Sequence, residues 1–401
     1  MQLTIEVTSN CQAQCPGCIR KNVINPTTGE IGYTKGVPKN VNMSLEVHNR
    51  LIDEAYEDGL TWVSYDGGFG DSPLHPDFLD MIRHVSEKPN IQIIAISTNG
   101  SYKPPEFWYE LGKILHKNKP NNIDYDPYDN NKYESGHLVF FDLDGVDNET
   151  QNKYRVKTDF DTIIRNAKAY IAGGGYAVWK MIPFDFNEEL EARGIELARE
   201  HGFQEFRRTR VHRVEQQATL MALAEKQGVA VEELNDGELD RADPEDRERL
   251  AHKPETQALI QDIKIDPKKS VHENMAIAKE EAGITCNWAN QETGENVKGG
   301  NYQVSHDGSV WRCCWHNSAY QFRTRMNSGD RDGWERFIRF YDDNWNNINT
   351  NSWNEIITHD FFTKDLQESF SNKYDDDINP KLKVCTHRCS NLNIPESERF
   401  C

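Results

Sequence analysis

Cys11, Cys15 and Cys18 lie in the run Glu6-Val-Thr-Ser-Asn-Cys-Gln-Ala-Gln-Cys-Pro-Gly-Cys-Ile-Arg20, spaced Cys-x3-Cys-x2-Cys. Cysteine sulfur ligates the iron of iron–sulfur clusters, so three thiolates this close suit three irons of a [4Fe–4S] cluster. The fourth iron then has no protein ligand. An open metal position is what chemistry needs, as in a catalytic zinc site that keeps one position free. The competing use is a zinc knuckle on Cys15-x2-Cys18, which needs two further ligands nearby. Between Ile19 and Val47 there is no Cys or His.

The triple, placed directly after an apolar strand-like run, resembles the defining motif of the radical S-adenosylmethionine (SAM) superfamily. That resemblance implies that Cys11, Cys15 and Cys18 hold a [4Fe–4S] cluster whose open iron is chelated by the amino and carboxylate groups of SAM. It further implies that an electron from the cluster cleaves SAM to methionine and a 5′-deoxyadenosyl radical, which abstracts hydrogen from the substrate. An electron donor such as flavodoxin or ferredoxin is expected with this chemistry.

Further segments resemble the SAM-binding parts of that superfamily. Tyr65-Asp-Gly-Gly-Phe-Gly-Asp-Ser-Pro-Leu-His-Pro76 is similar to the Gly-Gly-Glu segment that receives the SAM amino group. Glycine suits a backbone that must approach a ligand closely. The resemblance places Gly67, Gly68, Gly70 and Asp71 at SAM, with Asp71 as the carboxylate because Phe69 stands where Glu is expected. Ile96-Ser-Thr-Asn-Gly100 resembles the Thr-Asn-Gly at the third strand, and assigns Ser97 and Asn99 to SAM or substrate. Phe140-Phe-Asp-Leu-Asp-Gly145 with Thr150–Arg155 resembles the region after the fourth strand, with Asp142 on ribose hydroxyls and Arg155 on the SAM carboxylate. A forked guanidinium favours that pairing; a surface salt bridge is the plain alternative for Arg155. Met181 or Ile182 is placed against adenine or in ordinary core.

A second set of cysteines follows. Cys286-Asn-Trp288 precedes Val304–Cys314, which reads as a hairpin turning at Asp307-Gly308. The spacing Cys286-x21-Gly308-x4-Cys313 resembles the opening of SPASM and twitch auxiliary-cluster domains, and Cys385-x3-Cys389 closes it. The dense middle run of cysteines of a full SPASM domain is absent. One auxiliary [4Fe–4S] cluster on Cys286, Cys313, Cys385 and Cys389 is expected, with Cys314 and Cys401 as substitutes. A four-thiolate zinc site is the alternative use of the same residues.

The elements that position these residues read as an α/β fold. Leu3–Thr8, Thr61–Tyr65, Ile91–Ser97, His137–Leu143, Tyr176–Ile182 and Phe203–Val211 are strand-like, rich in β-branched or aromatic residues. Amphipathic helices lie between them, Ser44–Asp58 with Ser44 as N-cap, Asp161–Ala172, and one capped by Asn187. Such repeats give a parallel sheet with right-handed crossovers. Periodicity leaves a partial (β/α)6 barrel and a doubly wound sheet both open; the family resemblance selects the partial TIM-like barrel, with chemistry at the C-terminal strand edges. The expected units are the barrel over 1–210, an acidic helical insertion over 211–283, and a small irregular α+β auxiliary domain over 284–401. Val211–Gly283 contains no Phe, Tyr, Trp or Cys. Six of the nine tryptophans and six of the nine cysteines fall after it, enough aromatic mass for a small metal-bound core. One long helix is expected over Trp353–Phe370.

A net charge of −19 argues against general affinity for nucleic acid or anionic membranes. No apolar stretch is long enough to span a bilayer, and no basic-then-apolar leader precedes the first strand, so a cytoplasmic protein is expected. Nine cysteines in such a chain suit metal better than disulfides. The expected function is a radical SAM oxidoreductase or maturase that oxidises or crosslinks a carbon centre of a peptide or small molecule, assisted by the auxiliary cluster. The alternatives are radical SAM modification of a nucleotide or nucleic-acid base, with Arg207, Arg208, Arg210 and Arg213 reading phosphate, and a non-catalytic iron–sulfur or zinc protein. Alternation places Arg208 and Arg210 on one face of the sixth strand.

Overall fold

The computed structural model describes residues 1–16, 18, 20, 23–24, 31–32, 40–66, 68–116, 136–184, 186–209, 212–230, 251–252, 254–261, 263–284, 286, 300–321 and 328–389. Six parallel strands form the centre of one sheet, β1 (Gln2–Ile5), β4 (Trp62–Tyr65), β5 (Ile93–Thr98), β6 (Leu138–Asp142), β7 (Ala177–Met181) and β8 (Glu205–Arg208). A two-residue ladder, β2 (Val23–Ile24) with β3 (Ile31–Gly32), stands apart from it. The six strands pair in strict chain order, with no reversal of direction across the sheet.

Each central strand leads to a helix. α1 (Leu45–Glu57) follows β1, α2 (Phe78–Ser86) follows β4, and α3 (Pro105–His116) follows β5. After β6 come α4 (Asn148–Tyr154) and α5 (Phe160–Ala172), then α6 (Glu191–Glu200) after β7 and α7 (His212–Gln227) after β8. Ser44 accepts the Val47 N–H, so α1 starts where the N-cap signal places it. Asp147 and Thr150 form a reciprocal capping box at α4, and Asp159 caps α5.

Strand alternation separates two faces. Leu3, Ile5, Val63, Tyr65, Ile94, Ile96, Val139, Phe141, Ala177 and Trp179 join the helices in one continuous core. The opposite face carries a small apolar patch of Ile93, Ala95, Leu138 and Val178. Beyond that patch, towards the C-terminal strand ends, the same face bears Glu6, Ser97, Asp142 and Lys180, in register with it by period-two alternation. A sheet wound in one direction with its helices on one face is a partial (β/α)6 TIM-like barrel, and excludes the doubly wound arrangement, which covers both faces.

The hairpin expected at Asp307-Gly308 is present, with Gly308 at φ +87°. Its strands β9 (Asn301–Val304) and β10 (Val310–Trp311) extend the barrel sheet, β9 running parallel to β1 with Ile5 opposite Val304. Trp311 is fully buried, edge-on to Trp334, Trp345 and Phe361 at 5.9, 6.0 and 5.9 Å apart (Trp345 and Trp334 near-perpendicular). The helices of the acidic segment keep a separate small core around Leu220, Leu223, Ile260 and Met275. Among the described residues no helix is long and apolar enough to cross a membrane.

Two local expectations change. The helix expected over Trp353–Phe370 is broken into Trp353–Ile357, a π turn at Phe361–Asp365, and Leu366–Ser369. Phe361 packs on Trp311 and its neighbour Phe362 on Tyr302, with Trp345 against both rings. Asn187 precedes α6 without capping it. Its side chain instead accepts the Phe184 N–H and donates to the carbonyls of Asp144 and Ile182. Replacing Trp311 with alanine should lower unfolding stability by about 3–5 kcal/mol, read from urea denaturation of the apoprotein.

Candidate cofactor site at the strand ends

The loop after β1 carries Cys11, Cys15 and Cys18, and a turn with the Cys18 N–H on the Cys15 carbonyl brings the last two together. Burial pushes the Cys11 thiol up to about 12, helped by the nearby Asp71 charge and opposed by Arg20. Burial also raises Cys15, opposed by Arg155 and reinforced by the neighbouring Cys18. Arg20, 3% exposed, was not anticipated from the sequence. Its Nε donates to Cys18 Sγ at 3.4 Å, and its two terminal nitrogens reach the carbonyls of Cys11 and Ala13, both at 3.2 Å. A lone arginine two residues past a cysteine carries no spacing signal, so sequence alone passes over it.

The loop after β4 closes over this one. The Asp71 N–H bonds to the Asn10 carbonyl at 2.7 Å, and a Cβ on Gly70 would lie 1.9 Å from the Thr8 carbonyl oxygen. Only glycine permits two backbones to pass so closely. Gly68 donates its N–H to Glu6 Oε1 at 2.6 Å. Gly67 lies outside the described residues. Asp71 is buried; one carboxylate oxygen accepts from the Asn99 side chain, and the other has no partner within hydrogen-bonding geometry. Burial is the main reason that its carboxyl is raised to about 7, with Asp142 adding to the shift.

Asn99, at the end of β5, is central here. Its Nδ2 also faces Cys11 Sγ at 3.6 Å, and its Oδ1 accepts from Gln12 at 2.5 Å. Ser97 sits on the uncovered face beside Asp66, whose carboxyl is raised by burial and lowered by Lys180. After β6, Arg155 lies between two carboxylates, its Nε 2.5 Å from Asp144 and one terminal nitrogen 3.3 Å from Asp142. The pair is buried, not the surface bridge that was its plain alternative. Burial opposes the Arg155 charge, but Asp144 and then Asp142 outweigh it and hold the guanidinium protonated. Lys180 adds a second cation 3.4 Å from Asp142.

Met181 is placed by alternation on the helix-covered face and packs there, so it cannot meet a nucleoside on the other face. The arginine run also divides. Arg207, not Arg208, takes the uncovered face, stacked 5.1 Å over Phe140 and ion-paired to Glu205. Arg208 is half exposed and bridges to Glu188 and Glu191. Arg210 and the Arg213 side chain lie outside the description, and with them the face-sharing expected of Arg208 and Arg210.

The second cysteine set converges. Cys385 and Cys389 stand one turn apart on the helix Lys383–Cys389, and Cys313 immediately precedes the helix Cys314–Gln321. Cys389 is hydrogen-bonded to Cys286, which with burial and the charges of Cys385 and Cys313 drives its thiol far up. Burial and Cys286 raise Cys385 in the same way. Cys314 is half-buried at its helix start, and Cys401 lies outside the described residues. A tetrahedral zinc draws its four sulfurs to about 3.8 Å of one another. Among the described residues, no group of three or more His, Cys, Asp or Glu side chains is set for a single metal ion.

Glu6 joins the two regions. One oxygen takes the Gly68 N–H; the other accepts Ser305 Oγ at 3.1 Å and Asn317 Nδ2 at 3.4 Å, with His306 at 3.7 Å. The glycine loop, the hairpin and the helix after Cys313 therefore share one buried carboxylate.

No family model matches this chain. It is 27% identical over 112 residues to the tungsten-containing aldehyde ferredoxin oxidoreductase cofactor-modifying protein of Pyrococcus furiosus, a match covering 28% of this chain and 27% of that protein. Among solved structures, Streptococcus suis SuiB bound to precursor peptide SuiA aligns over 96% of this chain and 70% of its own, at 12% identity and a TM-score of 0.48. Native anSMEcpe with bound AdoMet aligns over 90% and 81%, at 14% identity and a TM-score of 0.45.

Two measurements check the site's electrostatics and its linkage. The raised Asp71 carboxyl favours the folded apoprotein at low pH, and that contribution is lost as pH rises from about 4 through about 7. Asp71→Asn should therefore melt higher than the parent apoprotein at pH 8, with most of the gap gone at pH 5; equal gaps would contradict the assignment. Glu6→Ala strands buried donors on three segments and should cost about 2–3 kcal/mol in urea unfolding.

Proposed function

We propose that the chain is a radical SAM enzyme, with a [4Fe–4S] cluster on Cys11, Cys15 and Cys18 and an auxiliary [4Fe–4S] cluster on Cys286, Cys313, Cys385 and Cys389. The observation that carries this reading is a donor set of three thiols on one loop, Cys15 buried and Cys11 and Cys18 half-buried, with Asp71 and Arg20 beside them. Around them stand Asp71, Asn99, Arg20 and Arg155, none of which is a further thiol or imidazole. Such a set fits a cationic iron cluster, because ligation would release the protons that burial retains on Cys11 and Cys15. When bound, the cluster and SAM supply one-electron cleavage of the sulfonium and a carbon radical that takes hydrogen from the substrate.

The protein's own groups bind and orient. Asp71 would offer its unpartnered oxygen to the SAM ammonium, a cation that would favour the charged form of the raised carboxyl. Gly68 and Gly70 would let backbone approach the methionine moiety, with Ser97 on β5 and Asn99 just past its end as further contacts, and Gly67 is assigned to the same role by the resemblance alone. Arg155, held by Asp142 and Asp144, would present its remaining donors to the SAM carboxylate, and Asp142 would take the ribose hydroxyls. Arg20 and Asn99 direct N–H groups at the ligand sulfurs. The helices exclude water from one side of the sheet, and the uncovered face receives the substrate above its apolar patch.

The substrate class is a peptide or small molecule whose carbon centre is oxidised or crosslinked, with the auxiliary cluster adjoining the site through Glu6. A flavodoxin or ferredoxin supplies the electron. Reading phosphate with the strand-six arginines has little support, since Arg207 and Arg208 are already matched to glutamates.

Anaerobic incubation with SAM and dithionite should yield 5′-deoxyadenosine and methionine, measured by liquid chromatography and mass spectrometry. Yields no higher than those of Cys15→Ala would overturn the reading. Reconstituted protein should carry about eight irons, and about four after alanine replaces Cys11, Cys15 and Cys18 together.

A further inference from the structure

His316 lies three residues beyond Cys313 on the helix Cys314–Gln321 and is 3% exposed. Its Nε2 is 3.1 Å from the Sγ of Cys385. Trp334 and Phe361 meet the imidazole at steep angles, with centroids 5.8 and 6.0 Å away. These rings fix the plane in which the nitrogen points. Nδ1 is buried without a hydrogen-bond partner, so among the described residues the ring's polar contact is the sulfur. A buried imidazole that satisfies one nitrogen on a thiol and leaves the other bare is retained at a cost unless that one contact matters.

We propose that His316 is a positioning and tuning residue for the auxiliary site: it donates its Nε2–H to the thiolate of Cys385 and thereby raises the reduction potential of the cluster held there. The proposal rests on the auxiliary-cluster reading above. Reduction adds negative charge that is shared with the ligand sulfurs, so an N–H aimed at one of them stabilises the reduced form more than the oxidised form. The aromatic walls keep water from competing for that sulfur, and the low local dielectric strengthens the contact. Ligation by His316 is the opposing role. Cys389 is hydrogen-bonded to Cys286, and Cys385 and Cys313 are near enough for their charges to act on it, so four thiols already gather without the imidazole.

The test uses the full chain with Cys11, Cys15 and Cys18 changed to alanine, so that only the second set binds iron. After anaerobic reconstitution with iron and sulfide, the midpoint potential is read by EPR-monitored titration in the parent, His316→Leu and His316→Asn. All three should hold about four irons. His316→Leu should shift the reduction equilibrium about tenfold, roughly 59 mV more negative for one electron. His316→Asn, which keeps an N–H donor, should recover part of that shift. His316→Phe, which suits the aromatic pocket, gives the same reading should the leucine variant fail to fold. An unchanged midpoint in the leucine or phenylalanine variant overturns the role of His316 alone. Loss of iron in every His316 variant, with iron retained in the parent, overturns it in favour of ligation. A parent that binds no iron removes the auxiliary cluster, and the proposal with it.

Discussion

Buried negative charge is the constraint on which the site depends. Cys11, Cys15, Asp66, Asp71, Asp142 and Asp144 gather at the C-terminal ends of adjacent strands, where water is largely shut out, and the cations facing them are Arg20, Arg155 and Lys180. A carboxylate or thiolate in such surroundings is costly unless it is paired. The cations are divided unevenly. Arg155 and Lys180 serve Asp142, Asp144 and Asp66, while Asp71 and Cys11 retain protons into the neutral or alkaline range. Arg20 is the cation beside both, and it offsets their burial only in part, so positive charge is short between the first cysteine loop and the glycine loop.

The one-sided sheet explains why that deficit can persist. Its helices lie on a single face, so the other face is free of packing demands near its C-terminal edge and can carry Glu6, Asp142 and Lys180 in place of apolar side chains. The apolar patch of Ile93, Ala95, Leu138 and Val178 closes the floor beneath them. Glu6 then ties this edge to the hairpin and the second cysteine set, and β9 continues the same sheet past β1. Distance from one cysteine group to the other is thus set by strands and not by a linker, and rigid elements hold reacting groups more closely than loops do.

The strands, α1, α5 and the hairpin were legible because each has a local cause: alternating apolar residues, Ser44 as the cap of α1, an apolar face on α5, and a glycine at positive φ. The nearness of Cys286, Cys313 and Cys385 to Cys389 accords with their spacing and the family resemblance. What escaped depends on contacts between distant segments. Nothing near Glu6 in the chain announces Ser305 or Asn317, and nothing near Arg155 announces that Asp144 will share it with Asp142. The break after Ile357 lies ahead of an aromatic cluster of Phe361, Phe362, Trp345 and Trp311 that is assembled from distant segments. The face taken by Arg207 follows from its pairing opposite Lys180 on β7, a register that propensity does not fix.

The most direct test of the central claim is the EPR spectrum of the reduced first cluster, recorded with and without SAM in a Cys385→Ala/Cys389→Ala background. Coordination of SAM at an open iron should change the g-values, and a 15N label on its amino group should appear as hyperfine coupling. Identical spectra with no nitrogen coupling would contradict an open iron that accepts SAM.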